Sequence, residues 1–213
     1  MRRRVSVSLS GVTALAFVFL VAFGPYRILA QRNEVGLLAG ATVTPGVSSS
    51  GGVIGFDPSL AFTVEYGHAF FRTPVGSLLG GVDFSASPLD VITNSGPSTA
   101  INEYAYIFLT PEIRYRAPSV GGVTPWVSVG GGYARFREGN YRSGVGNLTP
   151  GTNAGTAEFS GGIDSKAVIH LILPIGFRLE VRDYLSGKPN YNISTPGAVQ
   201  NNVVLSGGFL VKF

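Results

Sequence analysis

The sequence of 213 residues predicts an all-β fold, an eight-stranded antiparallel up-and-down transmembrane β-barrel. Three observations predict it. About eight segments after Gln31 alternate apolar and polar residues with a period of two, as a β-strand with two different faces does. Long and short connections between these segments alternate strictly. The polar face is dominated by Gly, Ala and Ser with isolated charges, which suits a crowded lumen better than a surface in water.

Composition agrees with a β-rich chain and excludes several kinds of function. The sequence contains 30 Gly, 14 Phe and 9 Tyr but no Cys, which excludes disulfides, thiolate metal sites, Cys nucleophiles and a lipidated Cys. The formal net charge of +4 comes from Arg2, Arg3, Arg4 and Arg27, because the residues after 30 carry twelve basic and twelve acidic side chains. We therefore predict no nucleic-acid partner.

The first thirty residues have the layout of a secretory signal. Three arginines precede a mostly apolar run at 5–23, and Ala30 supplies a small residue for cleavage. We predict a signal peptide at 1–30 and a transmembrane barrel at 31–213, with a mature chain that begins at Gln31. The alternative is an uncleaved anchor, since nineteen residues nearly span a bilayer, although Ser and Thr dilute this run.

The alternation places the strands and assigns their faces. Strands are predicted within 35–43, 59–70, 78–86, 104–116, 125–137, 157–164, 169–182 and 203–213. In the seventh, a slip of one residue would turn Arg178 and Arg182 into lipid, where an Arg at mid-depth costs about 2 to 4 kcal/mol. The fourth is ambiguous: we assign Ile107 to the lipid face, and a bulge near Pro111 would exchange the faces of half the strand.

Connection length indicates which end of the barrel is which. Four connections hold fourteen residues or more and three hold eight or fewer. The long ones are 44–57, 87–103, 138–155 and 185–202, and the short ones are 71–77, 117–124 and 165–168. Short periplasmic turns and long external loops are typical of outer-membrane barrels. The Gly, Ser, Asn, Thr and Pro content of the long connections predicts mobile surface loops.

The last segment, 203–213, alternates in the same way and ends on Phe213. It resembles the closing strand of bacterial outer-membrane β-barrel families, whose carboxy-terminal Phe is read by the assembly machinery. The stretches 124–136, 160–164 and 179–184 resemble those of uncharacterised outer-membrane β-barrel domain proteins of soil bacteria. This resemblance covers 31–213. It implies a small barrel in the bacterial outer membrane, Phe213 as an assembly signal, and contacts with outer-membrane lipid, lipopolysaccharide and the barrel-assembly machinery. It implies no substrate.

Charged residues on the predicted lumen face are the candidate site. They are Glu65, Asp83, Glu112, Arg114, Glu158, Asp164, Arg178, Glu180, Arg182 and Lys212. In an interior of low dielectric, opposite charges attract strongly and unpaired charges are costly, which favours an internal ion-pair network. A gated pore or a proton path is the alternative. We expect Glu180 to pair with Arg178 or Arg182, so that loss of Glu180 would leave one of these arginines unpaired.

The sequence offers little for catalysis. His68 and His170 are its only histidines, and both are predicted near the short-turn ends, whereas lipid-modifying enzymes that resemble this fold use a His at the outer leaflet. We predict no catalytic residue, no cofactor and no metal site. Gly130-Gly-Gly132 lies inside a strand and opens no helix, so close packing or curvature explains it better than a phosphate cradle.

Two further groups of residues are assigned to the membrane boundary. One is interpreted as an aromatic girdle and comprises Tyr66, Phe70, Tyr115, Trp126, Tyr133, Phe177 and Phe213. The other is Arg135, Arg137 and Arg142 with Tyr141, where the third long connection begins. These arginines either contact lipopolysaccharide phosphates or form a solvated loop base.

Three hypotheses about function follow. The favoured one is a non-enzymatic integral outer-membrane barrel with a polar, ion-pair-filled lumen and four surface loops, serving envelope integrity or surface contact. The alternatives are a narrow pore or small-molecule carrier, and an outer-membrane lipid-modifying enzyme. The sequence identifies no loop partner.

Overall fold

The fold is seen in a computed structural model that describes residues 32–49, 52–92, 103–138, 151–166, 168–170, 174–191, 197 and 199–213. The predicted signal peptide at 1–30, the cleavage before Gln31, and Tyr141 and Arg142 lie outside the described residues, as do large parts of the long connections whose mobility was predicted. No helix within the described ranges is long and apolar enough to cross a membrane.

Eight long strands form one closed antiparallel sheet within the described part of the chain. They are β1 (Asn33–Val43), β4 (Ser59–Thr73), β5 (Gly76–Val91), β6 (Glu103–Arg116), β7 (Val123–Glu138), β8 (Thr152–Ser165), β10 (Pro174–Gly187) and β11 (Val199–Lys212). Three short strands are β2 (Val47–Ser49), β3 (Gly52–Ile54) and β9 (Ile169–His170). Each long strand pairs with its neighbour in the chain, and β11 pairs with both β10 and β1. The sheet therefore closes into an eight-stranded up-and-down barrel.

The two faces of the barrel wall are chemically opposite. Apolar side chains cover the outside, where Leu179 and Val127 are each 59% exposed. Charged side chains fill the inside, where Arg178 and Arg182 have no exposed surface. A protein in water has the reverse arrangement. A barrel in lipid has this one, because its outer wall meets hydrocarbon, and closure of the sheet lets its strands pair their backbone groups with one another. The predicted class, an all-β transmembrane barrel, is confirmed.

The barrel ends differ in their connections. At one end, which we call the short-turn end, connections of eight residues or fewer join consecutive long strands, and both ends of the described chain lie here. At the other, the long-connection end, the four connections are 44–58, 92–102, 139–151 and 188–198. The strict alternation predicted from the sequence is therefore present.

One strand boundary differs from the prediction. The alternating segment that we predicted as a strand at 169–182 is not continuous, because Ile169 and His170 pair in antiparallel with Ile175 and Pro174. The alternating pattern continues across this reversal and conceals it. Pro174, with its fixed φ and no N–H, begins β10 instead of lying within it.

The ambiguous β6 contains no bulge at Pro111. The pairs Leu109 with Tyr133 and Glu112 with Gly130 keep the same register on both sides of it. Ile107 accordingly faces outward along the strand, as assigned. Packing explains Gly130 and Gly132 on the neighbouring strand, since a Cβ there would lie 2.7 Å from the carbonyl oxygen of Pro111 and 2.1 Å from that of Leu109.

Trp126 does not belong to the aromatic girdle to which we assigned it. The side chain is only 3% exposed and points into the lumen, whereas its neighbour Val127 points outward. Because successive residues of a strand face opposite sides, one step along β7 separates lumen from lipid at the same depth.

The inward orientation of Trp126 can be measured by fluorescence, because Trp126 is the protein's single Trp. We expect lipids brominated on their acyl chains to quench the fluorescence of the wild-type protein weakly. The double variant Trp126→Phe, Val127→Trp carries one Trp at the same depth on the outside, and it should be quenched several-fold more strongly. Equal quenching of the two proteins would contradict the assignment of faces on β7.

Candidate functional site: the filled lumen

The short-turn half of the lumen holds a network of buried ion pairs. Arg178 of β10 donates from Nε to Asp164 Oδ1 at 2.7 Å and from Nη2 to Glu34 Oε1 at 3.0 Å. Its Nη1 donates to Glu65. Arg114 of β6 donates to Glu34 Oε1 at 2.9 Å and to Glu65 Oε2 at 2.7 Å. Two arginines from different strands thus share the same two carboxylates.

Arg182 lies four residues beyond Arg178 on the same face of β10 and forms hydrogen bonds with four carboxylates. Nη2 donates to Glu65 Oε1 at 2.8 Å and to Glu180 Oε2 at 3.0 Å. Nη1 donates to Glu112 Oε2 at 3.2 Å and also to Glu158. These acids come from β4, β6, β8 and β10 itself, so one guanidinium connects strands on opposite sides of the barrel.

Trp126 belongs to this network. The guanidinium carbons of Arg114 and Arg178 lie 4.2 Å and 4.8 Å from the centre of its ring. Its Nε1–H donates to Asp164 Oδ1 at 3.1 Å. The ring face therefore stabilises two buried cations while its edge satisfies a carboxylate. A buried Trp needs such a partner for its N–H.

The structure brings all ten residues of the predicted lumen network together. It adds Glu34 and Arg116, which are joined to each other, and Arg116 also lies 3.4 Å from Asp164. Glu34 and Arg116 have the same parity as the other lumen residues of their strands, next to Val35 and Tyr115 on the opposite face. The rule that located the other charges therefore could have found them. Lys212 is the outermost member, 3.5 Å from Asp164 and 27% exposed at its side chain.

The described network contains more acids than bases. Its carboxylates are Glu34, Glu65, Asp83, Glu112, Glu158, Asp164 and Glu180, and its cations are Arg114, Arg116, Arg178, Arg182 and Lys212. Hydroxyl donors compensate part of this excess. Tyr184 donates to Asp83 Oδ2, and Thr110 donates to Glu158. Arginine is therefore the scarcer partner, and loss of an arginine leaves more charge unmatched than loss of an acid.

Aromatic rings fill the long-connection half of the lumen. Phe108 of β6 stacks on Tyr184 of β10, with centroids 4.2 Å apart and planes inclined by 8°. Phe136 meets Phe108 and Tyr104 edge to face, at 6.0 Å and 5.8 Å. All four side chains are fully buried. The rings form a second layer above the ion pairs, and Tyr184 joins the two layers through its hydrogen bond to Asp83.

Two long connections contribute to this aromatic layer. The β2–β3 hairpin of the first connection buries Ile54, and Phe56 just after it contacts the rings of Tyr104 and Tyr191. Tyr191, from the fourth connection, is 2% exposed and donates to Gln200. Described residues of two long connections therefore pack onto the aromatic layer at this end of the barrel.

The described lumen residues are engaged in packing and charge pairing. His68 lies at the short-turn end on the outer face, with Nδ1 2.8 Å from Asn33 Oδ1. The side chain of His170 is outside the described residues. Within the described ranges, no group of three or more His, Asp or Glu side chains is arranged to hold a metal ion. Phe213 exchanges two backbone hydrogen bonds with Asn33, and its role as an assembly signal stays a prediction.

Solved structures with a similar fold are outer-membrane proteins. Neisserial surface protein A (NspA) matches with a TM-score of 0.57 and 15% identity, over 85% of this chain and 97% of that one. OprG from Pseudomonas aeruginosa matches at 0.48 and 12% identity, over 85% and 96%, and the outer-membrane enzyme PagL at 0.45 and 14%, over 84% and 99%.

These comparisons bear on the fold alone. The likeness to NspA confirms the predicted resemblance to small outer-membrane β-barrels at the level of the fold. No protein-family model matches the chain. No curated protein matches it. Since one fold carries many functions, the function must be argued from the lumen and the surfaces.

The asymmetry of the lumen charges makes a prediction about Arg182 and Glu180. Arg182→Gln leaves several buried carboxylates facing one another and should lower the free energy of unfolding by about 3 to 5 kcal/mol. Glu180→Gln leaves Arg182 with Glu65, Glu112 and Glu158, and should cost only about 1 kcal/mol. Urea unfolding of the two variants in the same lipid vesicles measures both values.

This expectation replaces the one drawn from the sequence, in which Arg178 or Arg182 depended on Glu180. Arg178 is bound by Asp164 and Glu34, and Glu180 is one acid among several around Arg182. A loss of stability in Glu180→Gln equal to that in Arg182→Gln would show that the acids are not in excess.

Proposed function

We propose that this protein is a sealed, non-enzymatic barrel of the bacterial outer membrane that serves envelope integrity or surface contact. The observation that carries the proposal is that both halves of the lumen are filled. Arg178 and Arg182 are fully buried in one half, and Tyr104 and Phe108 are fully buried in the other. A barrel filled in this way acts through its outer wall and its ends.

The ion-pair layer argues against a pore or a carrier. Conduction requires a path that ions or solutes enter and leave readily. Here Glu65 accepts hydrogen bonds from Arg114, Arg178 and Arg182 together, so the displacement of any one cation breaks contacts that the others share. Separating buried charges leaves each without compensation in a medium of low dielectric, which is costly.

The barrel ends support contact at the surface. In outer-membrane barrels the long connections are external. In this chain the β2–β3 hairpin of the first long connection buries Ile54 at this end, and the fourth connection buries Tyr191 there, which supports the proposal. The external end is thus a surface built of the chain's own connections rather than the entrance of a channel.

Planar-bilayer recording tests the seal. We expect the refolded wild-type protein to give no steady open level. The exterior variant Leu179→Ala should behave in the same way, because it changes only the lipid face. The triple variant Phe108→Ala, Tyr184→Ala, Arg182→Gln removes material from both layers and should produce open events. A steady open level in the wild-type protein would support the pore hypothesis and overturn the proposal.

A lipid assay tests the enzymatic alternative. Because His68 lies at the short-turn end beside Asn33, we expect vesicles that contain the protein and labelled phospholipid or lipopolysaccharide to yield no cleaved or acylated product. The matched variant His68→Ala should be indistinguishable from the wild type. Product formed by the wild type but not by His68→Ala would overturn the non-enzymatic assignment.

A further inference from the structure

Two arginines lie on the outer wall of the barrel, where apolar side chains predominate. Arg135 and Arg137 occupy successive outward positions of β7 near its long-connection end, and both are exposed. Within the described residues, neither guanidinium is paired with a carboxylate. The four lumen arginines each have at least one such partner. The two outer arginines are therefore available to an external anion.

Their depth follows from the strand that carries them. The outward side chains of β7 from Val123 to Tyr133 include no charge. These ten steps span about 33 Å along the strand, and about 25 Å across the membrane at a tilt near 40°. That distance matches the apolar band of an outer-membrane barrel. Arg135 and Arg137 thus lie just beyond the hydrocarbon, at the headgroups of the outer leaflet.

Polar side chains next to Arg135 lie at the same boundary between hydrocarbon and headgroups. The Tyr133 hydroxyl donates to Asn153 Oδ1 at 2.6 Å, and Asn153 is the cross-strand partner of Arg135. A Tyr with its ring toward the apolar band and its hydroxyl paired with a polar group is typical of an interfacial girdle.

An apolar groove lies beside the two arginines. Phe62, Ala86, Ile107 and Arg135 are successive cross-strand partners on β4, β5, β6 and β7. The small Ala86 between two large side chains forms a depression of about 550 Å³ that Arg135 and Arg137 also line.

A bulge shapes the outer end of this groove. The register of β5 against β6 shifts between Ser87 and Asp90, and Pro88 also lines the groove. The extra residue bends β5 locally, and Pro88 cannot donate to the ladder. The bend in β5 therefore borders the outer end of the depression.

We propose that this groove binds a phosphorylated lipid of the outer leaflet, of the lipopolysaccharide type. One acyl chain lies over Ala86 between Phe62 and Ile107, and a phosphate of the headgroup is held by Arg135 and Arg137. Guanidinium groups bind phosphate through paired, charge-assisted hydrogen bonds. Residues two apart on a strand are about 7 Å apart at their Cα atoms, which allows two long side chains to converge on one phosphate.

Charge complementarity decides between this occupant and others. An acidic protein segment would satisfy the arginines but would leave the apolar groove facing the membrane unexplained. A zwitterionic lipid would fill the groove but would bring a cation to two cations. A lipid with an anionic phosphate monoester satisfies both features. The inference does not depend on whether the lumen is sealed.

Lipid retention in nanodiscs tests the proposal. The protein is refolded into phosphatidylcholine nanodiscs and titrated with diphosphorylated lipid A, and native mass spectrometry counts the lipid retained. We expect one lipid A to be retained by the wild type. Retention should be at least about tenfold weaker for dephosphorylated lipid A, and for the variant Arg135→Ala, Arg137→Ala, because each loses the charge-assisted contacts.

Matched variants separate the site from general attraction. Arg32→Ala, Arg72→Ala removes two exposed arginines at the short-turn end and should retain lipid A as the wild type does. Arg135→Lys, Arg137→Lys keeps the charge without the planar fork and should be intermediate. Ala86→Trp fills the groove while both arginines remain, and should lose retention.

The outcomes that overturn the proposal are specific. Equal loss in the two double-alanine variants would show a nonspecific charge effect. Equal retention of phosphorylated and dephosphorylated lipid A would remove the role of the arginines. Unchanged retention by Ala86→Trp, or competition by inorganic phosphate at the same concentration as the lipid, would remove the role of the groove. Heat-modifiable migration in gels verifies folding, and if the double-alanine variant fails to fold, the lysine and Ala86→Trp variants decide.

Discussion

The structure depends on the pairing of charges that the barrel wall encloses. Glu65 of β4 accepts hydrogen bonds from Arg114, Arg178 and Arg182. A buried carboxylate with one partner would be only marginally favourable, because desolvation offsets most of the attraction. With three partners from two other strands, Glu65 fixes β4, β6 and β10 relative to one another. A register shift in any of these strands would move a charge out of this network and into lipid, which makes the alternative registers costly.

The same network explains why the lumen has two layers. Arginine side chains are long and planar, and they need several acceptors when water is excluded. They therefore concentrate where acids from many strands converge, in the short-turn half. The long-connection half holds flat aromatic rings. Where the two layers meet, the Tyr184 hydroxyl donates to Asp83, so a hydrogen bond attaches the aromatic layer to the ionic one. The first connection adds to the core, because the buried Ile54 and the partly buried Phe56 pack on rings that the strands provide.

Most of the fold could be predicted because a transmembrane strand has only two faces. Parity along each strand assigned Leu179 to lipid and Arg178 to the lumen, and strict alternation of long and short connections ordered the ends. Parity places Trp126 on the lumen face with Ser128, but the girdle interpretation set parity aside, since an aromatic ring suits either a girdle or a cation inside. Parity also concealed the reversal before Pro174, because the alternating pattern continues across it. The number of acids around Arg182 depends on side chains converging across the lumen, and no single-strand pattern contains that information.

Arginine has two roles in this barrel, and the position of the side chain relative to the wall determines which. Arg178 is surrounded by carboxylates of the same chain, so its charge stabilises the fold and is unavailable to a ligand. Arg135 faces outward at the level where hydrocarbon ends, and no carboxylate of the described residues pairs with it. A protein under selection only for stability gains little from an unpaired Arg beside an apolar groove, because an exposed charge at an interface is close to neutral in free energy. The chain places two such arginines on alternate residues of one strand, beside an apolar groove whose outer end is bordered by a bulge in β5. That combination is explained by an anion with an apolar tail, and an outer leaflet rich in phosphorylated lipid supplies such a molecule at the depth where these arginines lie.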